Sequence, residues 1–453
     1  MRRSSESNPH DSATPARHQQ SDDPGARLQH VLRRNRESGQ GGVYAVCSAH
    51  TNVIEATIQQ AIEDGSVLHV ESTSSQVNQF GGYTRQTPQH FSEWVRGAAN
   101  RAGLPHERVL LGGDHLGPFP WRGEAANSAL KKGCDLVRAC VLSGYQKIHL
   151  DASMPCADDG DRLDDKTIAG RAAILCQAAE NAYLELPPSS PQILYVIGTE
   201  VPAPGGESDG AHAPEVTTAD NMHRTLEAFQ NAFSQHSLDS AWKRAVALVV
   251  QPGVEFGSDV VFDYDRAKAR SLSAVISEHT GIVYEAHSTD YQSPQLLKQM
   301  VEDHFAILKV GPWLTFAYRE AVLALAAIEH ELLKTNSSIR RSQMREALEK
   351  AMWSNPVYWR SYYRGDELQT QREFIYSYSD RCRYYWNDPS VQEEIARLLD
   401  NLATHPVPLT LLSQFFPLEY EAIRQGRLGP TPDMIVREHI RHVLRIYSLA
   451  CAS

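Results

Sequence analysis

The chain has no apolar run approaching the roughly 18 residues of a membrane-spanning helix, and its opening residues lack the apolar stretch of a secretory leader. Neither a membrane protein nor a secreted one is expected. Its seven cysteines, at positions 47, 134, 140, 156, 176, 382 and 451, form no CxxC pair. That removes the usual zinc-knuckle and dithiol spacings and predicts free thiols in a reducing cytoplasm. Basic charge is not in excess either: 44 Lys and Arg against 55 Asp and Glu leave a net charge of −11. Nucleic acid and anionic membrane are therefore disfavoured as partners, whereas an anionic substrate stays compatible because a pocket can be locally positive. No P-loop is present, and no GxGxxG lies between a strand and a helix. ATP and NAD chemistry, and with them a kinase, find no support.

What is present is a series of eight short apolar runs, spread almost evenly between Val43 and Pro312. They are Val43–Val46, Val67–Val70, Val109–Leu111, Lys147–Leu150, Ile193–Ile197, Ala245–Val250, Ile282–Tyr284 and Ala306–Val310. Each ends in a cluster of Gly, Ser, His, Asp or Glu, and helical patterns such as Asn52–Asp64, Pro88–Ala102 and Ala125–Ser143 fill the intervals. Alternating strands and helices predict a parallel sheet, and eight of them predict an α/β fold of the closed (β/α)₈ barrel type. In such a barrel the chemistry sits at the C-terminal ends of the strands.

Three segments are expected. Residues 1–27 are polar, rich in Ser, Asp, Gln, Pro and Arg, and aperiodic, as in a disordered tail. Residues 28–335 hold the barrel. Residues 336–453 carry helical spacing in Gln343–Met352, Ser390–Leu402, Leu409–Phe416 and Pro432–Leu449, which predicts a helical extension packed on the barrel or over its mouth. Aromatics crowd Tyr358–Tyr363 and Tyr384–Trp386; a stripe of this kind is expected to be core more than a sugar-stacking surface. Arg381 and Arg383 are read as surface or interface residues, with a role facing an anionic substrate as the alternative.

At the third strand, Gly112-Gly113-Asp114-His115 presents an imidazole and a carboxylate, and the two glycines are read as allowing a sharp turn and close approach of a ligand. Asp114 is the candidate general acid/base and His115 a candidate metal ligand. Glu285 and His287 share a face at the seventh strand, which makes His287 a second ligand. Glu255 is the third by position, with Glu200 as competitor. Mixed imidazole and carboxylate ligands suit a divalent ion, zinc first and manganese next. His149 and Asp151 share a face of the fourth strand and either orient a ligand or act directly. Asp151 and Glu200 join Asp114 as catalytic candidates. His50, Glu71, Asn78, Gln251, Ser288 and Lys309, all at strand ends or in the amide- and glycine-rich stretch after Glu71, are the substrate-binding candidates. For Lys309 the alternatives are a phosphate contact and a Schiff base. The polar stretch from Gly205 to about Thr218 is long enough to be a lid or disordered.

The strings CSAH, ESTSSQVNQFGGYT, LGGDHLGP, KIHLDAS, YVIGTEVPAPGGE, VVQPGVEF, YEAHSTDYQ and HFAILKVGP, followed by WRSYYRG and YSYSDRCRYYW, resemble the GatZ/KbaZ family. The resemblance covers Leu28 to Ser453. It implies a subunit of class II D-tagatose-1,6-bisphosphate aldolase that stabilises and activates a separate catalytic subunit in galactitol, N-acetylgalactosamine and tagatose phosphate catabolism. Some members are instead assigned as D-tagatose-6-phosphate 4-epimerases, and this is the alternative. The Asp114-His115 pair also resembles the Asp-His of catalytic class II aldolases, where His binds zinc and Asp works on the C4 hydroxyl; His287 resembles a later zinc ligand. A third His is not evident at the sixth strand, where Gln251 and Glu255 stand. Retro-aldol cleavage between C3 and C4 serves aldolase and 4-epimerase alike, with a Lewis acid on the carbonyl and a base at the C4 hydroxyl. The expected partners are a ketohexose phosphate, a class II aldolase catalytic subunit and further copies of the chain.

Overall fold

The computed structural model describes residues 23–198 and 213–452. Its centre is a closed barrel of parallel strands: β1 (Val43–Cys47), β2 (Leu68–Thr73), β3 (Val109–Leu116), β4 (Lys147–Leu150), β5 (Leu194–Gly198), β6 (Ala245–Val250), β9 (Val283–Ala286) and β10 (Phe305–Val310), hydrogen-bonded in the order β1-β10-β9-β6-β5-β4-β3-β2. Between β6 and β9 a short antiparallel hairpin, β7 (Glu255–Phe256) and β8 (Val261–Phe262), interrupts the alternation. The eight expected runs are the eight barrel strands.

Around the barrel run α1 (Pro24–Ser38), α2 (Thr51–Asp64), α3 (Pro88–Arg101), α4 (Ala126–Leu142), α5 (Asp165–Tyr183), α6 (Ala219–Gln235), α7 (Asp239–Trp242), α8 (Arg266–Val275), α9 (Pro294–Glu302) and α10 (Pro312–Leu333). Several start where sequence chemistry dictates. Thr87 accepts from His90 N, Asp164 from Thr167 N and Thr218 from Asn221 N, each side chain satisfying an amide that the first turn leaves without an intrahelical partner. Pro24–Arg27, expected to be tail, form the first turn of α1, because Asp23 caps the amides of Gly25 and Ala26. The remainder of the expected tail, 1–22, lies outside the described residues, as does most of the expected polar loop after Gly205.

Inside the barrel, side chains of alternate residues point inward and stack in layers. The lowest layers are apolar: Ala45, Leu110, Leu194, Val196, Ala247, Val249, Val283 and Ile307 form a cluster of their own, closed from below by Leu28 and Leu32 of α1. Two residues further along β2, β4 and β9 the layer becomes ionic, with Glu71, Lys147 and Glu285 fully buried. A further step brings Asp114, His149 and His287 to the mouth. Gly112, one step below Asp114, is where the Glu71 side chain passes: a Cβ there would lie 2.8 Å from Glu71 Cγ. Gly112 thus makes room for the ion layer, while a Cβ on Gly113 would run into the Leu116 side chain where the register with β4 shifts.

The extension comprises α11 (Met344–Ser354), α12 (Glu367–Tyr376), α13 (Pro389–Thr404), α14 (Leu409–Phe415), α15 (Pro417–Arg424) and α16 (Pro432–Cys451). Helix α16 packs on α2, α9 and α10 as part of the barrel's outer ring. Its Tyr447 hydroxyl donates to Thr289 O at 2.8 Å, and the amide of Gly42, just before β1, donates to Cys451 O at 2.9 Å. Last helix and first strand are joined directly. Among the described residues no helix is long and apolar enough to cross a membrane.

Candidate metal and sugar-phosphate site

At the mouth, Asp114, His115, His149 and His287 are all buried, and one ligand atom from each lies within 4.8 Å of the others. The imidazole centroids are 5.0 Å apart for His115 and His149, 4.8 Å for His115 and His287, and 5.3 Å for His149 and His287. One nitrogen of each ring is already engaged. His115 Nδ1 donates to Asp151 Oδ2 at 2.6 Å, and His287 Nε2 donates to Glu285 Oε1 at 3.0 Å. His149 Nδ1 sits 3.0 Å from Asp114 Oδ1, while its Nε2 is buried with no hydrogen-bond partner. Rings each anchored through one nitrogen, with the other turned into a shared space, are the arrangement by which proteins present histidine to a divalent ion. The residues fit one. His115 also has a positive φ of 48°, a conformation a non-glycine residue keeps only when its surroundings impose it.

Beneath this cluster the ion layer sets the electrostatics. Lys147 Nζ lies 2.6 Å from Glu71 Oε1 and 2.7 Å from Glu285 Oε2. Lys309 Nζ contacts Glu71 Oε2 and lies 3.0 Å from Asp114 Oδ1. Burial works against the Lys309 ammonium, but Asp114, Glu71 and Glu285 around it hold its pKa well above the usual lysine range. In this arrangement the Lys309 ammonium is paired with carboxylates while it also lines the cavity. Burial pushes the Asp114 carboxyl up, but His115, Lys309 and His149 more than reverse this and keep it ionised. Burial lowers His287 to about 4 against the pull of Glu285, whereas at His115 burial is outweighed by Asp114 and Asp151, which raise it.

The expected residues divide. Asp114, His115 and His287 converge, and Asp151 holds His115. His149 completes the set in place of Glu255. That glutamate is on the β7 hairpin, where Oε1 accepts from Phe256 N and Oε2 from Ser288 Oγ at 3.2 Å, next to His287 but not in the group of four. Glu200 lies outside the described residues. Of the substrate-binding candidates, His50, Asn78, Ser288 and Lys309 line a cavity of about 470 Å³ over the cluster. Asn78 spends its amide on the loop itself, accepting from Phe80 N and Gly82 N and donating to Ser74 O. Burial lowers His50 to about 4, leaving it neutral. Glu71 and Gln251 do not line the cavity. Glu71 is the anion of the layer below, and Gln251 Oε1 is taken by the amides of Gly253 and Val254.

The extension forms the rest of the wall. Tyr358, Ser361, Tyr362, Arg381, Arg383 and Tyr384 line the same cavity. Trp359, Tyr363 and Tyr385 turn into the core and Trp386 is buried at the cavity wall, so the aromatic stripe is split between packing and pocket. Tyr358 and Tyr384 are stacked at 4.5 Å and 3°, with Tyr83 from the barrel set edge-on to Tyr384 at 4.6 Å. Arg381 is buried and Arg383 half-buried, not exposed as surface residues would be. In the sequence, the signal was the alternation Ser379, Arg381, Arg383 against Asp380, Cys382, but nothing there shows which barrel face it covers.

A family model described as D-tagatose-1,6-bisphosphate aldolase subunit GatZ/KbaZ-like matches residues 28–452. D-tagatose-1,6-bisphosphate aldolase subunit GatZ from Salmonella enteritidis PT4 (strain P125109) is 46% identical over 424 residues, covering 94% of this chain and 99% of the relative. The subunit of the same name from Salmonella newport (strain SL254) matches to the same extent, 46% over 424 residues. A crystal structure of a probable tagatose 6 phosphate kinase from Sinorhizobium meliloti 1021 superposes with a TM-score of 0.83 at 40% identity, covering 90% of this chain and 100% of that one. With a family match running almost from end to end and relatives at this identity, the chain belongs to the GatZ/KbaZ-like family of D-tagatose-1,6-bisphosphate aldolase subunits.

Proposed function

We propose that the chain acts in the cytoplasm as a subunit of D-tagatose-1,6-bisphosphate aldolase in galactitol, N-acetylgalactosamine and tagatose phosphate catabolism. In this role it supports a class II catalytic subunit and carries a metal and sugar-phosphate site of its own. The relatives' shared designation supports the subunit role. The observation that carries the site is the convergence of His115, His149 and His287 on one space beside Asp114.

These three imidazoles would hold a divalent ion, zinc by preference for nitrogen ligands in a four-coordinate site. When bound, such an ion supplies a Lewis acid for a carbonyl and for the enediolate that develops from it. The chain's own residues do the rest. Asp151 and Glu285 fix the tautomers of His115 and His287. Asp114, kept ionised by Lys309, is placed to accept the proton of a substrate hydroxyl beside the breaking carbon–carbon bond. The aromatic wall of Tyr83, Tyr358 and Tyr384 lines one side of the cavity.

The test combines two measurements on the full chain. Mixed with a class II tagatose-bisphosphate aldolase catalytic subunit, it raises cleavage of D-tagatose 1,6-bisphosphate or prolongs the partner's thermal half-life. Dialysed against zinc, it retains about one equivalent, and Asp114→Ala and His115→Ala remove any interconversion of tagatose 6-phosphate and fructose 6-phosphate by the chain alone. No effect on the partner sinks the subunit role, and no retained metal sinks the site.

A further inference from the structure

The cavity above the histidines has two chemically different sides. Its barrel side is mixed, with the carboxylates Asp114 and Asp290 beside the cations Arg122 and Lys309. Its extension side carries the guanidiniums of Arg381 and Arg383, and none of the residues that the extension contributes to the lining is acidic.

In (β/α)₈ barrels a phosphate is commonly received after the last strands, where backbone amides open the next helix. Here that place is taken. Asp290 Oδ1 accepts from Gly311 N at 3.0 Å and from Trp313 N at 2.8 Å, the first amides of α10. A phosphate brought to the same amides would have to displace a carboxylate or lie against it.

The extension offers the opposite. Arg383 Nη1 donates to the carbonyls of Ser379 and Asp380, and Nη2 donates to the Tyr384 hydroxyl at 3.1 Å, all neutral oxygens. The neighbouring Asp380 carboxylate is turned away to Arg319, at 2.8 Å, and Thr315, at 2.6 Å. Arg381 Nη1 reaches the same Tyr384 hydroxyl at 3.4 Å, and its guanidinium lies over the Tyr362 ring. Two guanidiniums thus reach one phenol at the cavity wall, and that of Arg383 is held by carbonyls before any ligand arrives. Planar, fixed guanidinium donors of this kind match the oxygens of a phosphate monoester. Their charge lowers the pKa of Tyr384 in spite of its burial, a local sign of the positive potential.

We propose that Arg381 and Arg383, with Tyr384 as positioning residue, form the subsite for the phosphate ester of a ketose phosphate whose polyol end lies over His115, His149 and His287. The extension, not the rim after β9 and β10, then binds the anion. This inference rests on the reading of the mouth as a sugar-phosphate site.

Calorimetric titration of the full chain with D-tagatose 6-phosphate, D-tagatose and inorganic phosphate tests it. The ester is expected to bind at least tenfold more tightly than the free ketose, and inorganic phosphate to compete with the ester. Arg383→Gln should abolish that preference while leaving binding of the free ketose unchanged, and Arg383→Lys should restore part of it. Equal affinity for ester and free sugar in the unmodified chain overturns the proposal. So does an Arg383→Gln chain that melts normally and keeps the preference. If that variant does not fold, competition by inorganic phosphate on the unmodified chain decides: displacement supports the subsite and its absence overturns it. Activation of the catalytic subunit is read separately. A chain that activates its partner without preferring the ester loses the subsite and keeps the subunit role; one that prefers the ester without activating loses the subunit role and keeps the subsite.

Discussion

Asp151 Oδ2 lies 2.6 Å from His115 Nδ1, across neighbouring strands β3 and β4, and thereby decides which nitrogen of His115 faces the other imidazoles. Burial pushes the Asp151 carboxyl up, but the bond from His115 and the charge beside it hold it well below the usual carboxylate range. Carboxylates that orient ligating histidines typically change metal affinity about 10- to 100-fold when removed. Asp151→Asn is expected to weaken zinc binding by that factor with little change in melting temperature, measured by competition with a chromophoric chelator. Unchanged affinity would show that Asp151 does not act through His115.

The composition of the ligand set has a direct test in metal analysis. After dialysis against zinc, His149→Ala should retain far less than one equivalent, whereas Glu255→Gln should retain the metal. The reverse result would return Glu255 to the ligand set in place of His149.

Lys147 is expected to matter for stability. It is fully buried between Glu71 and Glu285, and its loss leaves the two carboxylates to Lys309 as their one remaining lysine. Removing one partner of a buried ionic cluster costs about 3–5 kcal/mol. Lys147→Met should lower the urea midpoint accordingly, and adding Glu71→Gln to it should recover part of the loss. A double variant no more stable than the single one would contradict this account.

A pH dependence is expected at the junction of α15 and α16. Glu419 accepts from His439 Nδ1 at 2.8 Å and from His442 Nε2 at 3.1 Å. Burial lowers His439, but Glu320 and Glu419 outweigh it and raise the imidazole to about 9. Burial raises Glu419, but the two histidines bring it down to about 2. A raised histidine pKa stabilises the fold fully below the unfolded value of about 6.5, and this contribution fades as the pH rises through 9. The depressed carboxyl contributes above about 4.5 and loses its effect as the pH falls towards 2. His439→Gln should therefore cost more in melting temperature at pH 6 than at pH 10. An equal cost at both would show that the contact is not ionic.

The barrel was legible because its signal is local: each strand is a short apolar run, and each inward face repeats every second residue. The same parity is enough to put Glu285 on one face with His287, and His149 on one face with Asp151. Which strand ends meet is a different matter. It depends on the stagger between strands, so that His149 on β4 comes beside His115 on β3, while Glu255, past the end of β6, is carried off on a hairpin. The burial of Arg381 and the place of Arg383 in the cavity wall were not legible for a related reason. Their place in the wall depends on how a helical extension folds back over a barrel mouth far away in sequence, and no periodicity within the segment records that path. Freedom to turn and room for a neighbour look alike in sequence, and at Gly112 the neighbour is the Glu71 side chain.

The joint between Gly42 and Cys451 has a consequence for how the protein is made. The amide just ahead of β1 finds its acceptor only when α16, about 400 residues later in the chain, has emerged. Tyr447 of that helix is likewise the residue that reaches Thr289, two positions from His287. A nascent chain paused before Pro432 therefore exposes the apolar flanks of α2, α9 and α10, and should be cut there by proteases that spare the finished protein.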